Sequence, residues 1–119
     1  MTSTRQKGTD GENRACAYLI KEGYTILTRN FRTRSGEIDI IAEKGEHLTF
    51  FEVKSLPGGT IETLAHELNL IKRQKIIKTA KCYLQKHREY SNRYIHFDVL
   101  ALDVPVLDPV YHIANAFTE

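Results

Sequence analysis

Two apolar rhythms alternate along the chain. From Thr9 the apolar residues recur at helical spacing: Ala15, Cys16, Leu19 and Ile20 fall on one face, and Gly23 is a stop signal. Tyr24 to Phe31 then reads as a first strand, followed by a turn over Arg32 to Gly36. Glu37 to Ala42 and Leu48 to Lys54 read as second and third strands, with Lys44-Gly45-Glu46-His47 as the hairpin between them. Pro57-Gly58-Gly59 breaks the chain and is the natural position for a mobile loop. A long helix follows, starting between Thr63 and Asn69 and reaching about His87. Its stripe is Ile76, Ile77, Ala80, Tyr83 and Leu84, and Lys75, Lys78 and Lys81 fall away from it. Tyr94 to Leu102 predicts a fourth strand, and Val110 to Ala114 a short fifth.

This order predicts one α/β domain over residues 9–119, with residues 1–8 as a flexible N-terminus. The sheet is expected to be central and mixed, flanked by helices. The long helix between strands three and four is a crossover, which lays strand four parallel to a neighbour in the right-handed sense.

Charge interrupts the second and third strands at Glu37, Asp39, Glu52 and Lys54. Burying such groups is costly unless they are paired or hold a metal. In an antiparallel hairpin, opposed residues share a face. A four-residue loop sets Asp39 opposite Glu52 and Glu37 opposite Lys54; a tighter loop is read as setting Glu37 opposite Glu52. Either way the four charges share one face with Ile41, Leu48 and Phe50, while Ile38, Ile40, Phe51 and Val53 share the other. The first helix is the expected cover for the apolar end of the charged face. Glu12 lies on that helix's apolar side, three residues before Ala15, and so is expected to point toward Asp39 and Glu52. The competing reading is local: Thr9-x-x-Glu12 is also a capping box.

Two carboxylates on adjacent strands make a hard-oxygen site suited to Mg²⁺ or Mn²⁺. Asp39 and Glu52 supply carboxylates, the Val53 carbonyl a further oxygen, and Glu12 a contact to a second ion or a bound water. Lys54, on the same face, is placed to orient water or to stabilise charge at phosphorus. Other chemistries lack their motifs: there is no GxSxG, Walker loop or GxGxxG. His47, His66, His87, His96 and His112 show no metal-ligand spacing and read as surface or structural, as do Asp98 and Asp103.

Composition adds less. The chain has 119 residues, 27% of them charged, and a formal net charge of only +2, so bulk charge does not demand a nucleic-acid partner. The basic residues are clustered, however, and Arg32, Arg34, Lys72, Arg73 and Lys75 are the expected contacts to a phosphate backbone. Cys16 and Cys82 form no CxxC and suggest neither a disulfide framework nor zinc. Residues 1 to 13 are polar, and no apolar run approaches a membrane span, so a cytoplasmic protein is expected.

Asp39 followed by Glu52-Val53-Lys54 resembles the signature of the PD-(D/E)xK nuclease superfamily. A wider set resembles the YraN-like family of small bacterial proteins: Gly11-Glu12, Ala15, Leu19, Gly23-Tyr24, Asn30, Gly36-Glu37-Ile38-Asp39, Phe51-Glu52-Val53-Lys54, Ala80, Tyr83-Leu84, Phe97-Asp98-Val99 and Asn115-Ala116-Phe117. The resemblance implies a restriction-endonuclease-like αβββαβ core, with Glu12, Asp39, Glu52 and Lys54 as a metal-dependent site for DNA cleavage, and, by analogy with junction resolvases of this fold, a homodimer. One departure stands out: Ser55 is followed by Leu56, where members usually carry arginine. The function expected is an endonuclease acting on branched or damaged DNA. The alternatives are a nucleic-acid-binding accessory protein that cleaves little or not at all, and an interaction module whose carboxylates form only structural ion pairs.

Overall fold

The computed structural model describes residues 4–119, with side chains described from Thr9 onward. The elements are α1 (Thr4–Lys21), β1 (Thr25–Thr33), β2 (Gly36–Lys44), β3 (His47–Ser55), α2 (Ile61–Glu67), α3 (Leu70–Lys86), β4 (Tyr94–Leu102) and β5 (Val110–Phe117). The five strands form one sheet in the order β1-β2-β3-β4-β5. β3 and β4 run parallel; the other neighbours are antiparallel. This mixed sheet with helices on both faces is the restriction-endonuclease-like arrangement that the sequence predicts.

Helix ends follow local chemistry. Gly23 stops α1 at φ +97°, donating its N–H to Ile20 while Tyr24 N–H reaches Leu19. That is a glycine-terminated C-cap. Asn69 caps α3 by accepting the Lys72 N–H at 3.0 Å. Thr60 caps α2, a short helix that the sequence reading merged into the break before α3. The start of α1 differs from expectation. It takes in residues 4 to 8 of the presumed loose terminus (residues 1 to 3 lie outside the described ones), so Thr9 sits within the helix and is not its cap. Ile20, assigned to the apolar face, is 61% exposed.

Two packed layers sandwich the sheet. On one face Ile38, Ile41, Leu48, Phe50, Phe97 and Val99 meet Ile76, Ala80 and Tyr83 of α3 and Leu64 of α2. On the other, Ile40, Ala42, Phe51 and Leu100 meet Ala15, Cys16 and Leu19 of α1. The cover over Ile41, Leu48 and Phe50 is therefore α3, not α1. The β3–α3–β4 crossover is committed to one face by its handedness, and α1 takes the face left open.

Strict alternation also fails at one place. Ile38 packs with the α3 layer while Ile40 packs with the α1 layer. The slip lies beside Asn30 of β1, between the paired residues Arg29 and Phe31, whose φ is +55°. A second irregularity in β1 lies between Ile26 and Thr28. Such local irregularities re-aim side chains.

Candidate metal and nucleic-acid site

The β2–β3 hairpin turns on Gly45 and Glu46, with Lys44 opposite His47. The loop has two residues, not four, yet the register is the one that carries Asp39 toward Glu52. The ladder ends one step short, at Ile40 and Phe51. From there β2 stays with β1 as far as Gly36, and β3 stays with β4 as far as Ser55. The strands part, and Asp39, Glu52 and Val53 border the gap.

Asp39 occupies the place of the missing ladder partner. Its Oδ2 accepts the Val53 N–H at 2.8 Å. The N–H and C=O of one strand residue point the same way, so the Val53 carbonyl also faces the gap. Burial, then the charge of Glu52, push the Asp39 carboxyl up to about 7; the Val53 N–H opposes this, and Glu37 and Glu12 add to it. The ionised form of Asp39 is therefore disfavoured in the gap.

Two cavities meet at Asp39. One, of about 200 Å³, lies on the α3 side and is lined by Asp39, Glu52, Glu37, Lys72, Lys75 and Ile76 with Gly36. The other, of about 390 Å³, lies on the α1 side, where Glu12, Asn30, Arg32 and Val53 join Asp39 and Glu37. Glu12 thus reaches Asp39 but not Glu52. Its Oε1 accepts from Arg29 Nε and Asn30 Nδ2, both at 2.9 Å. The left-handed Asn30 is what aims that amide at Glu12.

The basic residues divide. Lys54 Nζ lies 3.7 Å from Glu67 on α2 and does not line the Asp39–Glu52 cavity. Lys72 Nζ instead lies 3.3 Å from Glu52 Oε1. Burial would lower the Lys72 ammonium, but the charge of Glu52 and side-chain interactions with Lys54 and Glu52 raise it. Arg73 is spent internally: its Nε donates to the Leu68 carbonyl at 2.7 Å, and it sits over the Phe117 ring. Arg32 pairs with Glu37 at 3.4 Å while remaining largely exposed, and Arg34 and Lys75 are exposed. Arg32, Arg34 and Lys75 are thus accessible, and Arg73 is occupied. Sequence reasoning missed Lys72 as a member of the carboxylate cavity. The signal was present: Lys72 is one turn before buried Ile76, on the same stripe.

Among the described residues, no group of three or more His, Cys, Asp or Glu is arranged to hold a metal. A pair of carboxylates with a backbone carbonyl suits a hard ion that keeps most of its waters, and does not suit zinc. The crowding that raises Asp39 is what a divalent cation would relieve, so the residues fit Mg²⁺ or Mn²⁺.

His66 lies in α2 and His87 ends α3, while His47, His96 and His112 form a network across β3, β4 and β5. His47 Nδ1 is 2.8 Å from His96 Nε2, and His96 Nδ1 is 2.7 Å from Asn115 Oδ1. Buried Asp98 takes His112 Nε2 at 2.7 Å and the Asn115 N–H at 2.8 Å. This network ties β4 to β5. Asp103 pairs with Arg14 through two bonds of 2.8 and 2.9 Å.

Fold and gap together define a restriction-endonuclease-like α/β protein with an acidic site at the parting of its central strands. Residues 11–102 match the model of the uncharacterised protein family UPF0102, and the chain belongs to that family. It is 40% identical to the UPF0102 protein of Treponema denticola, over 94% of this chain and 95% of the relative. Identity to the UPF0102 protein of Persephonella marina is 43%, covering 93% and 92%. To that of Methylobacillus flagellatus it is 37%, covering 96% and 98%. Among the described residues, no helix is long and apolar enough to cross a membrane.

Proposed function

We propose that this protein is a metal-dependent endonuclease that hydrolyses DNA phosphodiesters, with branched or damaged DNA as its substrate class. The observation that carries the reading is the gap between β2 and β3. Burial, with the Glu52 carboxylate beside it, holds Asp39 up to about 7 there, where the β2–β3 ladder has ended. A site selected only for stability would not retain such crowding.

Asp39, Glu52 and the Val53 carbonyl would hold Mg²⁺ or Mn²⁺, which supplies Lewis acidity and a more acidic water when bound. Glu12, fixed by Arg29 and Asn30, faces the α1 side of Asp39 and is placed to accept a hydrogen bond from a bound water. Lys54 lies just beyond Glu52 on β3 and, released from Glu67, stabilises charge on the phosphoryl oxygens. Arg32 and Lys75 line the cavities at the gap, Arg34 is exposed in the β1–β2 turn, and the three position phosphates without reading sequence. Two copies as a homodimer would present two such gaps to a branched substrate.

A specific observation favours the second reading, an accessory DNA-binding protein with little or no cleavage: the Lys54 ammonium has Glu67 as a carboxylate neighbour at 3.7 Å. Labelled duplex, single-stranded and four-way-junction DNA, incubated with Mg²⁺ or Mn²⁺, separates the two. The enzyme reading expects metal-dependent cleavage that Lys54→Ala lowers by about a hundredfold or more. Salt-dependent binding without cleavage supports the accessory role. Neither binding nor cleavage of any substrate overturns both.

A further inference from the structure

The Asp39–Glu52 cavity already contains a cation, and it is not the lysine of the Glu52-Val53-Lys54 motif. Lys72 Nζ is 3.3 Å from Glu52 Oε1, and Lys72 lines the cavity with both carboxylates. Lys54 lies beside Lys72, with its Nζ 3.7 Å from Glu67. The Lys72 backbone is fixed, because Asn69 accepts its N–H at the start of α3. Ile76, one turn on and 5% exposed, anchors the same helical stripe to the sheet. The helix therefore aims Lys72 at the gap. Its side chain is still one-third exposed, so the ammonium has a path outward. A four-carbon stem with a compact charge suits such a path, whereas an arginine fork would lock onto the carboxylate.

We propose that Lys72 is the built-in counter-cation of the Asp39–Glu52 pair, and that a divalent cation displaces it to the cavity mouth, where its ammonium meets a substrate phosphate. This rests on the metal-site reading above and adds a residue to it. Before the metal arrives, one tethered charge keeps two like charges in place. Afterwards that same charge is available to the ligand. Lys75, exposed at the rim of the same cavity, forms no ion pair among the described residues and has no such displacement to undergo.

The test is Mn²⁺ binding by the full chain at neutral pH, read as free Mn²⁺ by electron paramagnetic resonance. The proteins are wild type, Lys72→Met, Lys72→Gln, Lys72→Arg and, as a charge control, Lys78→Met at an exposed position of α3. Met and Gln are expected to bind Mn²⁺ about tenfold more tightly, since no tethered cation competes. Arg should bind it more weakly than wild type, and Lys78→Met should match wild type. A DNA duplex supplies the second readout. Lys72→Met should lower affinity with Ca²⁺ present, reducing the salt slope by about one, and should change little in EDTA. Equal Mn²⁺ affinity in wild type, Met and Gln overturns the proposal while leaving the metal site intact. An equal gain in Lys78→Met also overturns it, because bulk charge then explains the effect. Absence of Mn²⁺ binding in every protein overturns the metal site itself.

Discussion

Replacing Asp39 with asparagine removes a half-buried carboxylate but keeps an acceptor for the Val53 N–H. The carboxyl stands at about 7 in the folded chain against an ordinary value of 3.8. A raised acid favours the folded state while it is protonated. Its contribution is therefore intact below about pH 4 and is lost as pH rises through about 7. Roughly three units at ~1.4 kcal/mol each give a penalty of about 4 kcal/mol above neutrality. The Val53 N–H bond to the carboxylate is already within that figure, since it opposes the rise. Asp39→Asn should thus stabilise the metal-free protein by about 4 kcal/mol near pH 8, a Tm rise on the order of 10 °C. Near pH 4 the two proteins should be nearly equal. Urea and thermal unfolding in EDTA at both pH values measure this. With saturating Mg²⁺ the sign should reverse, because only the wild-type gap gains from the ion. A variant no more stable than wild type near pH 8 in EDTA, or one equally stabilised at both pH values, would refute the electrostatic reasoning.

Three further outcomes follow from particular contacts. Phe50 is buried between the α3 layer and the Phe97 and Tyr83 rings, so Phe50→Ala should cost about 3–5 kcal/mol in urea unfolding. Arg14 and Asp103 are each about two-fifths exposed despite their good geometry. Arg14→Ala should therefore cost less than about 1 kcal/mol, and a double-mutant cycle with Asp103→Ala checks it. Lys75 is exposed at the rim of the carboxylate cavity, so Lys75→Ala should weaken DNA binding at low salt and lower the salt slope by about one, with no change in Tm.

The hairpin that builds the site was legible because its alternation is strong and its turn glycine is in place. Register, a parallel neighbour for β4, and the bounds of β4 all follow from apolar pattern and crossover length; that the neighbour is β3 is what the structure adds. Layer assignment did not follow. Parity says which residues share a face, but only the handedness of the crossover says which helix covers it. Ile38 was misplaced for a different reason. A left-handed Asn30 leaves a weak sequence mark, yet it changes which side of the sheet a neighbour reaches. Residues 4 to 8 looked non-helical because they are polar and lack apolar periodicity. At Gly11 the tertiary packing accounts for the glycine: a Cβ there would lie 3.1 Å from Leu102 Cδ1. In the site, Asp39, Glu52 and Val53 came together as expected. Glu12 stopped on the α1 side, where Arg29 and Asn30 hold it, and Lys54 stands beside Lys72 with Glu67 of the unforeseen α2 at 3.7 Å.

Manganese soaked into crystals of the wild-type protein gives the most direct test, through its anomalous scattering. The account predicts one strong peak in the gap, bounded by the Asp39 and Glu52 carboxylates and the Val53 carbonyl, with Lys72 turned away from Glu52. A map with no peak there, at manganese concentrations that saturate ordinary Mg²⁺ enzymes, would contradict it.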